Sequence, residues 1–229
     1  MIEETLLTGK GEARNILLVE GSDDAHVMRS LFGYYHIPCV HRGRPGYDQA
    51  PPSLIEIRDY EGIDKLLEAF GVELKRSGDR RLGVVIDADV DLAARWASLR
   101  NRLLQAGYSG VPEVPQPDGT VILQDEKFPV GLWLMPNNQL SGMLEDFASL
   151  LVPPGDRLWP IAERTLQEVM ATERRFPEVH RSKARIHTWL AWQIKPGKPL
   201  GVAITAHYLD PAASQAQQFI SWVRRLFAL

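Results

Sequence analysis

Short continuous apolar runs alternate along this chain with longer stretches in which apolar residues recur every three or four positions. "NILLVE" (15–20) reads as a short buried strand. "DDAHVMRSLFGYY" (23–35) follows with Ala25, Val27, Met28, Leu31 and Phe32 at helical spacing, and Ser22 or Asp23 is placed to cap it. Residues 53–78 predict a short strand near Ile55 and Ile57, then a helix from about Gly62. "LGVVIDAD" (82–89) is a Leu/Val/Ile run of the kind found in parallel sheets buried on both faces. "LAARWASLRNRLLQAG" (92–107) predicts an amphipathic helix stopping at Gly107, and the Pro/Gly-rich 108–120 a loop. "KFPVGLWLMP" (127–136) holds another strand, and 142–152 a short helix closed by Pro153 and Pro154. Helices are predicted over 156–176, with Pro160 near its start, over 182–194, and over 214–229.

Strands alternating with helices predict an α/β fold with a mainly parallel sheet flanked by helices, Rossmann-like in outline. The expected organisation is one domain over 1–229, with a core at about 14–152 and a helical extension at about 153–229. The 45% hydrophobic content is enough to fill a core. A net charge of −3 argues against a wholly basic nucleic-acid-binding surface but leaves room for a local groove. One cysteine, Cys39, excludes an intrachain disulfide and predicts a cytoplasmic protein. Cys39 itself reads as packed. The acidic, polar start "MIEETLLTGKGEARN" does not resemble a signal peptide, and no apolar run reaches the length of a membrane span.

The candidate chemistry lies where the apolar runs stop. In open parallel sheets, ligands bind beyond the carboxyl ends of the strands. Glu20 ends one predicted strand; Asp87 and Asp89 end another, and face the same way if the chain stays extended. Asp24 falls one helical turn after Glu20. Gathered carboxylates raise one another's pKa unless a cation intervenes, and the hard oxygen-liganded ion that suits them is Mg²⁺ or Mn²⁺. The competing reading is ordinary: acids after strands cap helices and stay solvated. Asp23 reads as a cap, and Asp91 as a solvated neighbour of the site.

On these residues the sequence resembles the Toprim domain, the Mg²⁺-binding module of topoisomerases, primases and several nucleases. The marks are Glu20 in "LLVEG" and Asp87/Asp89 in "VVIDADVD". "VEGSDDAHVM" is most similar to the Toprim part of the overcoming-lysogenisation-defect nucleases. With "GLWLMPNNQLSGMLEDF" (131–147) and "KARIHTWLAWQIKPGKPLGVAI" (183–204), it also resembles small stand-alone Toprim-like proteins of unassigned function. The resemblance spans about 14–227. It implies that Glu20 and Asp24 bind one metal and that Asp87 and Asp89 share it or bind another. Glu145 would fill a later acidic position, with Asp146 as its alternative, and Lys183 would face the phosphate. Glu20, Asp87, Asp89 and Lys183 would thus be catalytic, in a phosphoryl transfer whose in-line displacement two metals clamp from both sides. The large nucleases carry an ATPase segment that this sequence lacks, so a partner ATPase or self-association stays open.

The stretch 172–189 holds Arg174, Arg175, Arg181, Lys183 and Arg185, a candidate phosphate-backbone contact whose plain alternative is a solvated helix face. Arg42 and Arg44 lie in a Gly/Pro-rich loop that reads as surface. Trp189 and Trp192 are three apart; they read as core rather than as a base-stacking pair, and Trp133 as buried. His180 and His187 lack the spacing of a zinc site. No phosphate-gripping glycine motif and no nucleophile elbow occurs.

Three functions therefore compete: a metal-dependent Toprim-like nuclease, a non-catalytic Toprim-like module binding metal or nucleic acid in a larger complex, and a phosphatase. "VVIDADVD" fits the Asp-x-Asp-x-Val pattern of the haloacid dehalogenase superfamily, with Asp87 as nucleophile and Asp89 as acid/base. That motif usually opens its domain, whereas here a strand–helix unit with its own terminal Glu precedes it.

Overall fold

The computed structural model describes residues 14–41, 54–169 and 172–229. Among them a six-stranded sheet runs in the order β2-β3-β1-β4-β6-β5. Its strands are β1 (Asn15–Val19), β2 (Cys39–His41), β3 (Ile55–Asp59), β4 (Arg81–Asp87), β5 (Thr120–Ile122) and β6 (Val130–Met135). All pair in parallel except β5, which runs antiparallel on the edge of β6. The helices are α1 (Ser22–Tyr34), α2 (Ile63–Glu73), α3 (Leu92–Gln105), α4 (Leu144–Ser149), α5 (Trp159–Glu168), α6 (Arg181–Ala191), α7 (Leu200–Thr205) and α8 (Ser214–Phe227). The predicted α/β class with a mostly parallel sheet is the observed one.

Strand alternation sorts the core into two layers. Leu17, Val19, Ile57, Val85 and Trp133 point to the face covered by α1 and by the helices from α4 onward. Ile16, Leu18, Val84, Ile86 and Leu132 point to the face covered by α2 and α3. Side chains of the expected helical extension, among them Ile186, Trp189, Phe219 and Trp222, belong to the same apolar cluster as β1 and β4. Close approach of α8 requires two strand glycines. A Cβ on Gly131 would lie 2.5 Å from Leu226 Cδ2, and one on Gly83 3.0 Å from the same atom. On the other face a buried ionic group ties α2 to β3. Arg58 spans Glu56 (2.6 Å) and Glu73 (2.9 Å), and Arg80 also pairs with Glu73.

The connectivity positions the site. From β1 the chain leaves through α1 toward β2 and β3; from β3 it crosses back through α2 to β4 and continues through α3 toward β5 and β6. Connections from the adjacent strands β1 and β4 thus depart in opposite directions. The carboxyl ends of β1 and β4 flank a topological switch point, where open α/β sheets leave a crevice.

Several local expectations change. The helix expected over 156–176 is α5 alone, ending at Glu168; Asp156 accepts from the Leu158 and Trp159 N–H groups (2.9 and 2.8 Å) and holds the turn before it. Pro160 sits in the first turn, where no donor is needed. The strands β2 and β5 and the helix α7 add to the predicted elements; each has too few residues to show a period. Arg42 and Arg44 lie outside the described residues. No helix among the described residues is long and apolar enough to cross a membrane.

Candidate functional site

The rim of the switch-point crevice is built from strand ends and helix starts. Past Val19 the chain turns at Gly21, the N-cap of α1. Neither Ser22 nor Asp23 caps the helix. Asp24, in its third position, reaches back so that Oδ2 accepts from the Gly21 N–H at 3.1 Å. Its other oxygen, Oδ1, is buried and accepts no hydrogen bond. Glu20 Oε1 crosses to the next strand and accepts from the Asp87 N–H at 2.8 Å. Asp87 Oδ1 in turn accepts from the Leu144 N–H at the start of α4, at 2.9 Å.

Asp89 departs from the expected geometry. The strand stops at Asp87, and Asp89 adopts a left-handed backbone (φ 51°), which Asp tolerates better than most residues. Its N–H donates to the Gly142 carbonyl (2.8 Å), and its carboxylate pairs with Arg95. The extended Asp-x-Asp side-by-side arrangement is therefore replaced by a turn, yet Asp89 still raises the pKa of both Glu20 and Asp87. Asp91, expected as a solvated neighbour, caps α3 by accepting from the Ala94 N–H at 2.9 Å.

Two further elements close the rim. Glu145 is buried on α4 and pairs with Lys183 of α6, Nζ to Oε1 3.2 Å, while half of the Lys183 side chain stays in solvent. The alternative acid, Asp146, does different work. It accepts from the Met143 N–H (2.9 Å) and from the Ser182 hydroxyl, capping α4 and fastening α6 beside it.

The structure thus brings Glu20, Asp24, Asp87, Asp89 and Glu145 within electrostatic reach of one another, with Lys183 at their edge. Burial, then the charges of Glu20 and Glu145, push the Asp24 carboxyl up to about 7. Burial, then Asp24, Glu20, Glu145 and Asp89, push Asp87 up to about 9. Glu20 is raised chiefly by burial, against the Asp87 N–H that favours its charge. Among the described residues, no three His, Cys, Asp or Glu side chains are already drawn into a group that holds a metal ion. The donor set nevertheless fits a hard cation: the ligands are carboxylate oxygens, and Asp24 Oδ1 is a buried acceptor with no donor.

The basic stretch is mostly engaged with acids. Arg174 pairs with Glu178; Arg181 lies 3.9 Å from Glu163 and 3.7 Å from Glu178; Arg185 binds Glu163 at 2.8 Å and stacks over Trp159. Arg175 is exposed. Trp189 is buried and its indole N–H donates to Asp156 (3.0 Å), whereas Trp192 falls beyond the helix end and is partly exposed, contrary to the core expected for both. Trp133 is buried as expected. His180 and His187 are exposed, and Cys39 packs against the core with its thiol pKa raised by burial.

Sequence reasoning passed over Arg95, although its position gave a signal. A cation in the opening turns of a helix is opposed by the macrodipole and needs a nearby anion. It also passed over His41, whose Nε2 lies 2.7 Å from Asp59 Oδ1 on the same edge, two strands from Glu20.

Fold and site together define an α/β protein of Rossmann-like architecture whose switch-point crevice is lined by carboxylates. The chain belongs to the family described as Protein of unknown function (DUF3226), which matches residues 14–228. No curated protein and no solved structure matches it.

Proposed function

We propose that the chain is a divalent-metal-dependent phosphoryl-transfer enzyme, a Toprim-type nuclease acting on nucleic-acid phosphodiesters in the cytoplasm. The observation that carries this reading is the convergence of Glu20, Asp24, Asp87 and Glu145 at the β1/β4 switch point with Asp24 Oδ1 left without a donor. Carboxylates forced together at such cost in charge, beside an exposed lysine, suit a cation–phosphate site better than a structural role. Mg²⁺ or Mn²⁺ held by Glu20, Asp24, Asp87 and Glu145 would supply an acidified water and a polarised phosphoryl oxygen.

The chain's own residues do the rest. Lys183 leaves Glu145 for the phosphate and stabilises the charge that grows on it. Asp146 and Ser182 hold the lysine's helix against α4. Arg95 restrains Asp89, keeping a fifth acid at the rim. At neutral pH the Asp87 carboxyl keeps its proton in the cation-free chain, so loading with cation releases it.

The experiment is incubation of purified protein with supercoiled DNA, single-stranded DNA and structured RNA, in Mg²⁺, Mn²⁺ or EDTA, beside Glu20→Gln and a Glu20→Gln/Asp87→Asn double variant. Cleavage that needs metal and is lost in both variants upholds the reading. Phosphatase activity that survives Glu20→Gln points instead to Asp87 as a nucleophile. A second reading, a metal- and nucleic-acid-binding module without turnover, is favoured by the pairing of Asp89 with Arg95, which engages one of the acids assigned to catalysis. It is upheld by metal binding without cleavage.

A further inference from the structure

Next to the acidic rim, on the α3 side of the sheet, lies an open groove of about 610 Å³. That is within the size range of small-molecule sites, about 300–1,000 Å³. It is lined by a face of α3 that presents Ala93 and Ala97, with Trp96 buried beneath them and its indole N–H donating to the Pro112 carbonyl (3.2 Å); Val114 and Pro115 add further apolar lining. Val90 and Val114 leave 77% and 69% of their surface in water here, an apolar cost that a ligand would relieve. The groove is joined to the rim by two short bonds, the Asp89 N–H to the Gly142 carbonyl and the Ser141 hydroxyl to the Val90 carbonyl (3.2 Å).

Its charged lining sums to one negative charge: Arg100 pairs with Glu113 at 2.6 Å, and Asp91, which accepts from the Ala94 N–H, is left over. What remains are exposed amides, Asn101 and Gln139, each offering a donor and an acceptor side by side. Apolar lining with amide edges and a residual negative charge matches a flat, neutral heterocycle and disfavours an anion. Paired donors and acceptors of this kind are what side-chain amides use to read base edges, and apolar walls are what base faces stack against.

We infer that the groove seats one nucleobase of the substrate while the adjoining phosphate is presented to the acidic rim. This rests on the nuclease reading above. It specifies that the enzyme grips an unstacked base, and so acts on single strands or on a base drawn out of a duplex.

The test uses Ala97→Leu, which fills the groove from an exposed helical position without touching an acid and leaves helix propensity nearly unchanged. Steady-state cleavage of a single-stranded DNA dodecamer is measured for both proteins. The Trp96 indole N–H signal is followed by NMR on adding dAMP, dTMP or inorganic phosphate with Mg²⁺. The expected result is a KM raised at least tenfold by Ala97→Leu with kcat within twofold, and a Trp96 shift with the nucleotides but not with phosphate alone. Cleavage with unchanged KM and an unmoved Trp96 overturns the groove and leaves the nuclease standing. Nucleotide shifts abolished by Ala97→Leu but no cleavage uphold the groove and overturn the nuclease. Neither cleavage nor nucleotide shifts overturn both.

Discussion

Replacing Asp24 with asparagine removes one negative charge from the rim and keeps the shape, because an amide oxygen can still accept from the Gly21 N–H. In the folded, cation-free chain the Asp24 pKa stands at about 7 against 3.8 for a free side chain. A carboxyl whose folded pKa is raised holds its proton more tightly in the native state. Its contribution to stability is complete below about pH 4 and is lost as pH rises through about 7. Three pH units at 1.36 kcal/mol each make that loss about 4 kcal/mol. For a chain of this size it corresponds to a contribution to the melting temperature lower by roughly 8–16 °C at pH 8 than at pH 4. Thermal melts in EDTA across pH 4–8 check this, and the Asp24→Asn variant is expected to show a markedly flatter profile. The proton uptake also competes with cation, so Mg²⁺ or Mn²⁺ is expected to restore the wild-type melting temperature at pH 8 and to do little for the variant. Superimposable profiles for the two proteins would refute the reasoning, since the rim would then store no charge repulsion at Asp24.

Three other perturbations probe different parts. Lys183→Met strips the buried Glu145 carboxylate of its ion-pair partner and is expected to cost about 1–3 kcal/mol in the cation-free chain, while lowering kcat for nucleic-acid cleavage by roughly 10²–10³-fold; equal kcat values would remove the lysine from the mechanism. Gly131→Ala places a Cβ 2.5 Å from the fully buried Leu226 and is expected to cost about 1–3 kcal/mol in a urea melt through overpacking of α8. Glu73→Gln leaves Arg58 and Arg80 buried with one counter-charge fewer between them; a loss of about 3–5 kcal/mol is expected by chemical denaturation, with metal binding unchanged because Glu73 meets Arg80 at the amino end of β4, the far end of that strand from the acids.

Much of this architecture was legible because β1, β4 and β6 are each buried on both faces, and burial on both faces writes a continuous apolar run into the sequence. The acids at the ends of β1 and β4, Glu20 and Asp87, mark the edge where those runs stop. Other features left too little pattern. The three-residue strands β2 and β5 and the six-residue α7 are shorter than the windows that reveal a period. The reading of Asp87 and Asp89 as neighbours on one face assumed two more residues of strand, whereas the left-handed turn at Asp89 is set by its tertiary bonds to Gly142 and Arg95. The Trp189–Trp192 pair failed for a similar reason: the helix ends at Ala191, so the shared face does not extend to Trp192. The division of labour between Glu145 and Asp146 depends on which of two adjacent carboxylates meets Ser182, 36 residues away. The groove beside α3 is assembled from three separate segments and has no linear signature at all.

The seat of α8 on Gly83 and Gly131 has a kinetic consequence. Residues 214–227 fasten onto strands at 81–87 and 130–135, and β1 is zipped between strands that begin 40 and 66 residues after it. Native contacts of that span require large loops to close before any of them is rewarded, so refolding belongs to the slow, non-local regime, on the order of milliseconds to seconds. Pairing β1 with β4 sets Glu20 beside Asp87 against the repulsion of the gathered acids, so Mg²⁺ present from the start of refolding is expected to speed that closure, and equal rates with and without Mg²⁺ would refute it.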